Sequence, residues 1–256
     1  MFGPTGPIAW NTIRELIRSK LLYTLLLFAF LLIVGSIFIA QLTIGGWERI
    51  IVDVSLAAIE VVGLLVAVLI GVSVVAGEVE RRTIYPTLAK PVSRGAFILG
   101  RYLGLACILT LMAAVMLGLL AVTLRFSGYS LSSTAFSAAL LILIELWVMA
   151  SVAVFFSSFT TPILASAFSL SLFLIGHLLT DLRAFAERMN AGAGKSLVNA
   201  ASRILPDLEL LNLKSQAAND LAVPARYVAT SLLYGLAWTA LLLVLSIAIF
   251  RKRDLK

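Results

Sequence analysis

Two carboxylates stand where carboxylates are costly. Glu60 interrupts the apolar run Val54–Ala76, and Glu145 is the single formal charge between Phe126 and Thr180. An acid at the centre of a membrane helix costs roughly 2.5–3.5 kcal/mol on insertion scales. Two roles would justify it: lining a polar cavity along a translocation pathway, or a protonated or hydrogen-bonded tie between helices. His177 closes another apolar run and reads as an interfacial or packing residue, and a single histidine argues against any centre built from several imidazoles. A second kind of chemistry sits in the charged stretch from Gly77 to Arg94. Glu78, Glu80, Arg81 and Arg82 are followed by Ile84 and Leu88, so ion pairing and apolar docking are offered side by side. Two readings stand for it: a rigid knob that transmits force from a partner into two helices, or a solvated charged loop that only enforces topology.

The elements that position these residues are membrane spans. The chain has 256 residues, of which 61% are hydrophobic and 13% charged, with a mean hydropathy of +1.05. Soluble domains carry about 25% charge. So few charges cannot form a polar skin, and the chain is an integral membrane protein. A span needs about 20 apolar residues to cross a hydrocarbon core about 30 Å thick. Six runs meet this, at about 21–44, 54–76, 102–124, 135–156, 163–180 and 227–250. The fourth and fifth are one apolar stretch divided at Ser157-Ser158-Phe159-Thr160-Thr161-Pro162. There hydroxyls compete for backbone hydrogen bonds and Pro162 disfavours helix in the residue before it.

Lysine and arginine set the orientation. Arg14, Arg18 and Lys20 precede the first span, Arg81, Arg82, Lys90, Arg94 and Arg101 lie between the second and third, and Arg251, Lys252, Arg253 and Lys256 follow the sixth. The short loops on the opposite side hold only Arg49 and Arg125. Both termini are therefore expected in the cytoplasm. The formal net charge of +7 reads as topology signals facing anionic membrane lipids, with no nucleic acid implied. Residues 8–20 place Trp10, Ile13, Leu16 and Ile17 on one helical face, which suits an interfacial helix; the other reading continues the first span into water. The first apolar run is too long for a cleaved signal peptide.

Two features flank the spans. The loop over 77–95 contains Pro86 and Pro91, and Ser93 stands where an N-cap for the third span belongs. The external segment 181–226 is too long for a plain loop. It shows two amphipathic patterns, Leu182, Phe185 and Met189, then Leu197, Ala201, Ile204 and Leu205. A lid or landing site and a stabilising cap are both open readings. Gly100 and Gly104 form a G-x-x-x-G at the entry to the third span, a spacing that lets helices approach closely.

The run Glu80-Arg81-Arg82-Thr83 through Leu88, then Lys90-Pro91-Val92-Ser93-Arg94 and Leu99-Gly100-Arg101-Tyr102-Leu103-Gly104, resembles the coupling-helix region of ABC-2 type transporter permeases. It departs from that pattern in having Arg82 before Thr83 where glycine is usual, and Arg101 for lysine. Leu205-Pro206-Asp207-Leu208-Glu209-Leu210-Leu211-Asn212-Leu213-Lys214 is similar to an external segment of the copper-enzyme-maturation subgroup. The resemblance implies an all-α fold of six transmembrane helices forming one permease domain over 1–256, in the cell inner membrane. It also implies a cytoplasmic coupling helix that docks on a separate ABC ATPase subunit. Two ATPase copies and a second permease copy or a paralogue would complete the transporter, with no cofactor bound directly and ATP and Mg acting through the partner.

The chain itself needs such a partner. Gly194-Lys195-Ser196 imitates the end of a P-loop, but the motif requires glycine at 189, which is Met189. An ATP-driven exporter of a lipid, drug, peptide or metalloenzyme-assembly factor fits the whole. The alternative is a proton-coupled secondary transporter using Glu60 and Glu145, although neither discontinuous spans nor an internal repeat is evident. An intramembrane metalloprotease is disfavoured because H-E-x-x-H is absent.

Overall fold

In hydrocarbon no water is present to satisfy the backbone, so each apolar run must bond internally as a helix. The computed structural model describes residues 5–43, 45–80, 93–188 and 193–252. Its elements are α1 (Thr5–Ile17), α2 (Lys20–Gln41), α3 (Trp47–Glu80), α4 (Arg94–Phe126), α5 (Ser133–Ser157), α6 (Pro162–Arg188) and α7 (Ala193–Ile204). A 3-10 turn, η1 (Leu208–Leu211), then leads to α8 (Lys214–Ala218) and α9 (Ala225–Lys252). Helices α2, α3, α4, α5, α6 and α9 are each long and apolar enough to cross a membrane.

Several helices outrun their apolar stretches. The 34 residues of α3 span about 51 Å at 1.5 Å per residue. The apolar run reports the thickness of lipid, and charged residues at its ends do not stop a helix. Stops occur where specific chemistry acts. Ser157 and Ser158 turn their hydroxyls onto Val154 O, and Thr160 onto Phe156 O, and the chain restarts at Pro162. Ser93 caps α4 by accepting from the Ala96 N–H at 3.2 Å, as its position suggested. The Ser132 hydroxyl does the same for α5 from Ala135 at 3.1 Å.

Helices α3 and α5 form the buried centre, α4 is half-buried, and α2, α6 and α9 lie outside them. Leu56, Ile59, Val62, Val66 and Ile70 of α3 share one core with Leu141, Ile142, Met149 and Val152 of α5. The contact is close because Gly63 takes the Leu146 side chain against its backbone. Apolar side chains on α2 and α9, such as Phe30, Phe38, Leu233 and Val244, remain exposed. They are the surface that lipid covers.

Helix α1 is separate from α2. The chain breaks at Arg18 and Ser19, and α1 folds back across the start of α4. Thr12 and Leu16 are buried there, while Trp10 and Ile17 of the expected apolar face remain exposed. The G-x-x-x-G seats this crossing. A Cβ on Gly100 would lie 2.8 Å from Ile8 Cβ, and one on Gly104 would lie 2.6 Å from Thr12 Cβ and 2.8 Å from Ala9 O. Arg101, one turn between the glycines, donates from Nη1 to Glu15 Oε2 at 2.6 Å. At the same end, Arg94 Nη1 donates to Phe250 O and Arg251 O, both at 3.2 Å, tying the last turn of α9 to the first of α4. Gly104→Leu should undock α1 at a cost of about 1–3 kcal/mol, the usual penalty for overpacking. Faster amide hydrogen exchange over 5–17, with 133–157 unchanged, is the expected reading.

Candidate functional site

The two intramembrane acids meet. Glu60 on α3 and Glu145 on α5 are buried to 3% and 1% exposure. Both approach His177, about four turns into α6: its Nε2 lies 2.8 Å from Glu145 Oε1 and 3.3 Å from Glu60 Oε1. The ring's other nitrogen, Nδ1, lies 3.3 Å from Glu209 Oε2 on η1. Glu60 Oε2 accepts from the Lys214 ammonium at the start of α8. The packing role expected for His177 is therefore corrected. Its ring edge does pack on Phe173, with centroids 4.6 Å apart, but its nitrogens join three carboxylates from three elements. An ionised carboxylate only accepts hydrogen bonds. With all three acids ionised, a doubly protonated ring would donate from both nitrogens.

The positions follow from local structure. Apolar neighbours drive Glu60 and Glu145 inward, since the faces that carry them also carry Leu56, Ile59 and Val62, and Leu141, Ile142 and Met149. Glu209 is held by Asn212 Nδ2, which donates to both of its oxygens at 3.1 Å. Asn212 Oδ1 in turn accepts from the Lys214 backbone N–H at 3.2 Å. The spacing Glu209, Asn212, Lys214 thus builds a small polar scaffold between buried Leu208, Leu211 and Leu213.

That scaffold is fastened from several sides. Asp207, 2% exposed, accepts from Arg183 Nη1 at 2.9 Å and from the Thr180 hydroxyl at 3.3 Å, and its backbone N–H donates to the Tyr234 hydroxyl at 2.7 Å. Arg183 Nη2 also donates to Ser202 O at 2.8 Å. The Tyr227 hydroxyl donates to Leu210 O at 3.1 Å, and the Thr134 hydroxyl to Leu221 O at 3.2 Å. Gly176 gives η1 its seat: a Cβ there would lie 2.7 Å from Leu208 Cγ. Leu208, Leu211, Leu213 and Ala217 consequently belong to the core. The first amphipathic pattern of the segment is a continuation of α6 to Arg188, with Leu182 and Phe185 exposed.

The second group of expected site residues lies elsewhere. Glu78 and Glu80 fall in the last turn of α3, whereas Arg81, Arg82, Ile84 and Leu88 lie outside the described residues. Eighteen residues separate Glu60 from Glu78 on one continuous helix, about 27 Å along its axis. Glu60 and Glu78 are thus at different levels of the same helix.

Sequence reasoning placed Glu60 and Glu145 in the membrane but gave them no partners. His177 was named with a different role, and the missed residues are Glu209, Asn212 and Lys214. One signal was available: Glu209, Asn212 and Lys214 alternate with leucines, so a stretch with buried leucines carries its polar groups in with it.

Residues 7–255 match the model of a family described as ABC-2 family transporter protein. No curated protein matches the chain.

Proposed function

The chain belongs to the ABC-2 transporter family as a multi-span membrane permease component, and from that premise we propose that it is the translocating subunit of an ATP-driven exporter. Its termini and the loop 77–95 face the cytoplasm, where the loop docks on a separate ATPase subunit. Two ATPase copies serve a pair of permeases, this chain with itself or with a paralogue, in the cell inner membrane. A hydrophobic cargo such as a lipid, drug or peptide suits the apolar outer helices.

Coupling is a population shift. ATP binding draws the two ATPase subunits together, and a loop seated in a groove on each must follow. Arg81 and Arg82 pair with acids of the ATPase, Glu78 and Glu80 with its bases, and Ile84 and Leu88 fill an apolar pocket. The observation that carries this reading is the continuity of α3 from Trp47 to Glu80. A helix of that length moves as a unit, so tilting its loop end displaces the level of Glu60 and, through Glu60, α5 and α6. In this reading the acids couple helices along the pathway.

Leu88→Cys in a Cys107→Ala background tests both docking and orientation. A thiol reagent that cannot cross membranes is expected to label inside-out vesicles and to leave intact cells unlabelled. A bifunctional thiol-reactive cross-linker in the same vesicles should give an adduct containing an ATPase subunit. Labelling of intact cells would overturn the orientation, and absence of any such adduct would overturn the docking.

A further inference from the structure

We propose that Glu60, Glu145 and His177 form a site for one divalent transition-metal ion, with Glu209 and Lys214 orienting the ligands. The donor atoms come from α3, α5 and α6, and all lie within 4.8 Å of one another. Nε2 of His177 is already 2.8 Å from Glu145 Oε1 and 3.3 Å from Glu60 Oε1. Donors about 2.0–2.2 Å from a tetrahedral zinc ion stand about 3.3–3.6 Å apart. The 3.3 Å pair already stands at that spacing, and the 2.8 Å pair must open by about half an ångström to admit an ion.

An independent observation points to a ligand. Glu145 Oε2 is fully buried and accepts no hydrogen bond among the described residues. A buried carboxylate oxygen left unsatisfied carries the full cost of its desolvation. It is bonded to the same carbon as the oxygen that faces His177, so an ion held by both oxygens of Glu145 would satisfy it.

The surroundings have the form that metal ligands need. A histidine that ligates through one nitrogen is normally held by a carboxylate on the other, which fixes the ring and its tautomer. Here Glu209 faces Nδ1 and is itself held by Asn212, which leaves Nε2 for the ion. Lys214 holds Glu60 by Oε2 and leaves Oε1 for the ion. Charge agrees. Three ionised carboxylates and one ammonium beside a neutral imidazole sum to −2, and a divalent cation brings the group to neutrality, which a buried site requires. One nitrogen and two carboxylate donors select zinc, cobalt, manganese or iron over calcium and magnesium, which take all-oxygen shells. Binding would pin α3, α5 and α6 together at one level, with η1 and α8 fastened above.

Cobalt(II) is the probe, because it substitutes for zinc and its visible absorption reports coordination. The full chain, with any polyhistidine tag cleaved and metal removed, is titrated in mild detergent. The expected result is one tight equivalent per chain, displaced by zinc, with a histidine ligand visible by X-ray absorption spectroscopy. His177→Asn should abolish the band. Glu209→Gln, which leaves all three ligands in place, should weaken affinity about 10–100-fold, the usual loss for a residue that orients a ligand. Wild-type protein that takes up no stoichiometric cobalt overturns the proposal, as does cobalt bound without histidine. Unchanged affinity in folded Glu209→Gln assigns Glu209 no orienting role and contradicts the arrangement. These readouts need neither ATPase nor cargo.

Discussion

Replacing His177 with leucine is expected to destabilise the bundle by about 3–5 kcal/mol, the range observed when one partner of a buried ionic contact is removed. The ring stands between two carboxylates that are 3% and 1% exposed, and a third lies on its other side. Leucine fills the volume but leaves Glu60 and Glu145 facing each other, with Lys214 on Glu60 alone. For a domain of this size such a loss lowers the Tm in detergent by roughly 10 °C or more. The double variant His177→Gln with Glu145→Gln tests the cause. It removes the charge of Glu145 together with the ring while keeping hydrogen-bonding groups at both positions, and should recover more than half of the loss. A Tm for His177→Leu within 2 °C of wild type would show that the contact contributes nothing.

Reversing both loop arginines, Arg81→Glu with Arg82→Glu, should act on function without touching the bundle. The ABC-2 family implies an ATPase partner, and the proposed docking surface places these two cations against its acids. Each truncated or reversed interfacial charge typically costs 2–5 kcal/mol when its partner remains buried, so the pair should lower affinity at least 30-fold. The measurements are ATPase subunit retained on the purified permease and the hydrolysis rate of whatever complex survives. Membrane insertion and Tm should match wild type. Retention and hydrolysis both unchanged would remove the arginines from the interface.

How much of this was legible varied with the range of the interaction. The six spans, the division at Ser157 to Pro162 and the Ser93 cap rest on contiguous residues, and local patterns announce them. Helix lengths were read short, as α4 shows: its apolar run begins at Tyr102, but the helix begins at Arg94. The close approach implied by Gly100 and Gly104 was visible, but its occupant was not. Nothing local ties Thr5–Ile17 to a helix almost ninety residues away. The buried ionic group was the least legible. Glu60 and Lys214 are separated by 154 positions, and Glu145 and His177 by 32. Hydrophobic periodicity tells which way a residue faces and is silent about what it meets. An acid in a span therefore announces that a partner exists, while only the packing of α3, α5 and α6 identifies it.

The exposed apolar faces bear on assembly. Helices α2, α6 and α9 present long unpartnered apolar surface, which lipid or a second permease would cover. The buried α3 and α5 give the chain a packed interior of its own. The proposed transporter then moves two such subunits against each other, driven from loops at the ends of the two α3 helices.

The most direct test of that scheme is to extract the tagged chain from its native membranes in mild detergent and identify by mass spectrometry what accompanies it. An ABC ATPase subunit in stoichiometric amount, lost with Arg81→Glu and Arg82→Glu, is the expected result. A chain that purifies without an ATPase subunit, and whose transport survives ATP depletion but collapses with the proton gradient, would contradict it.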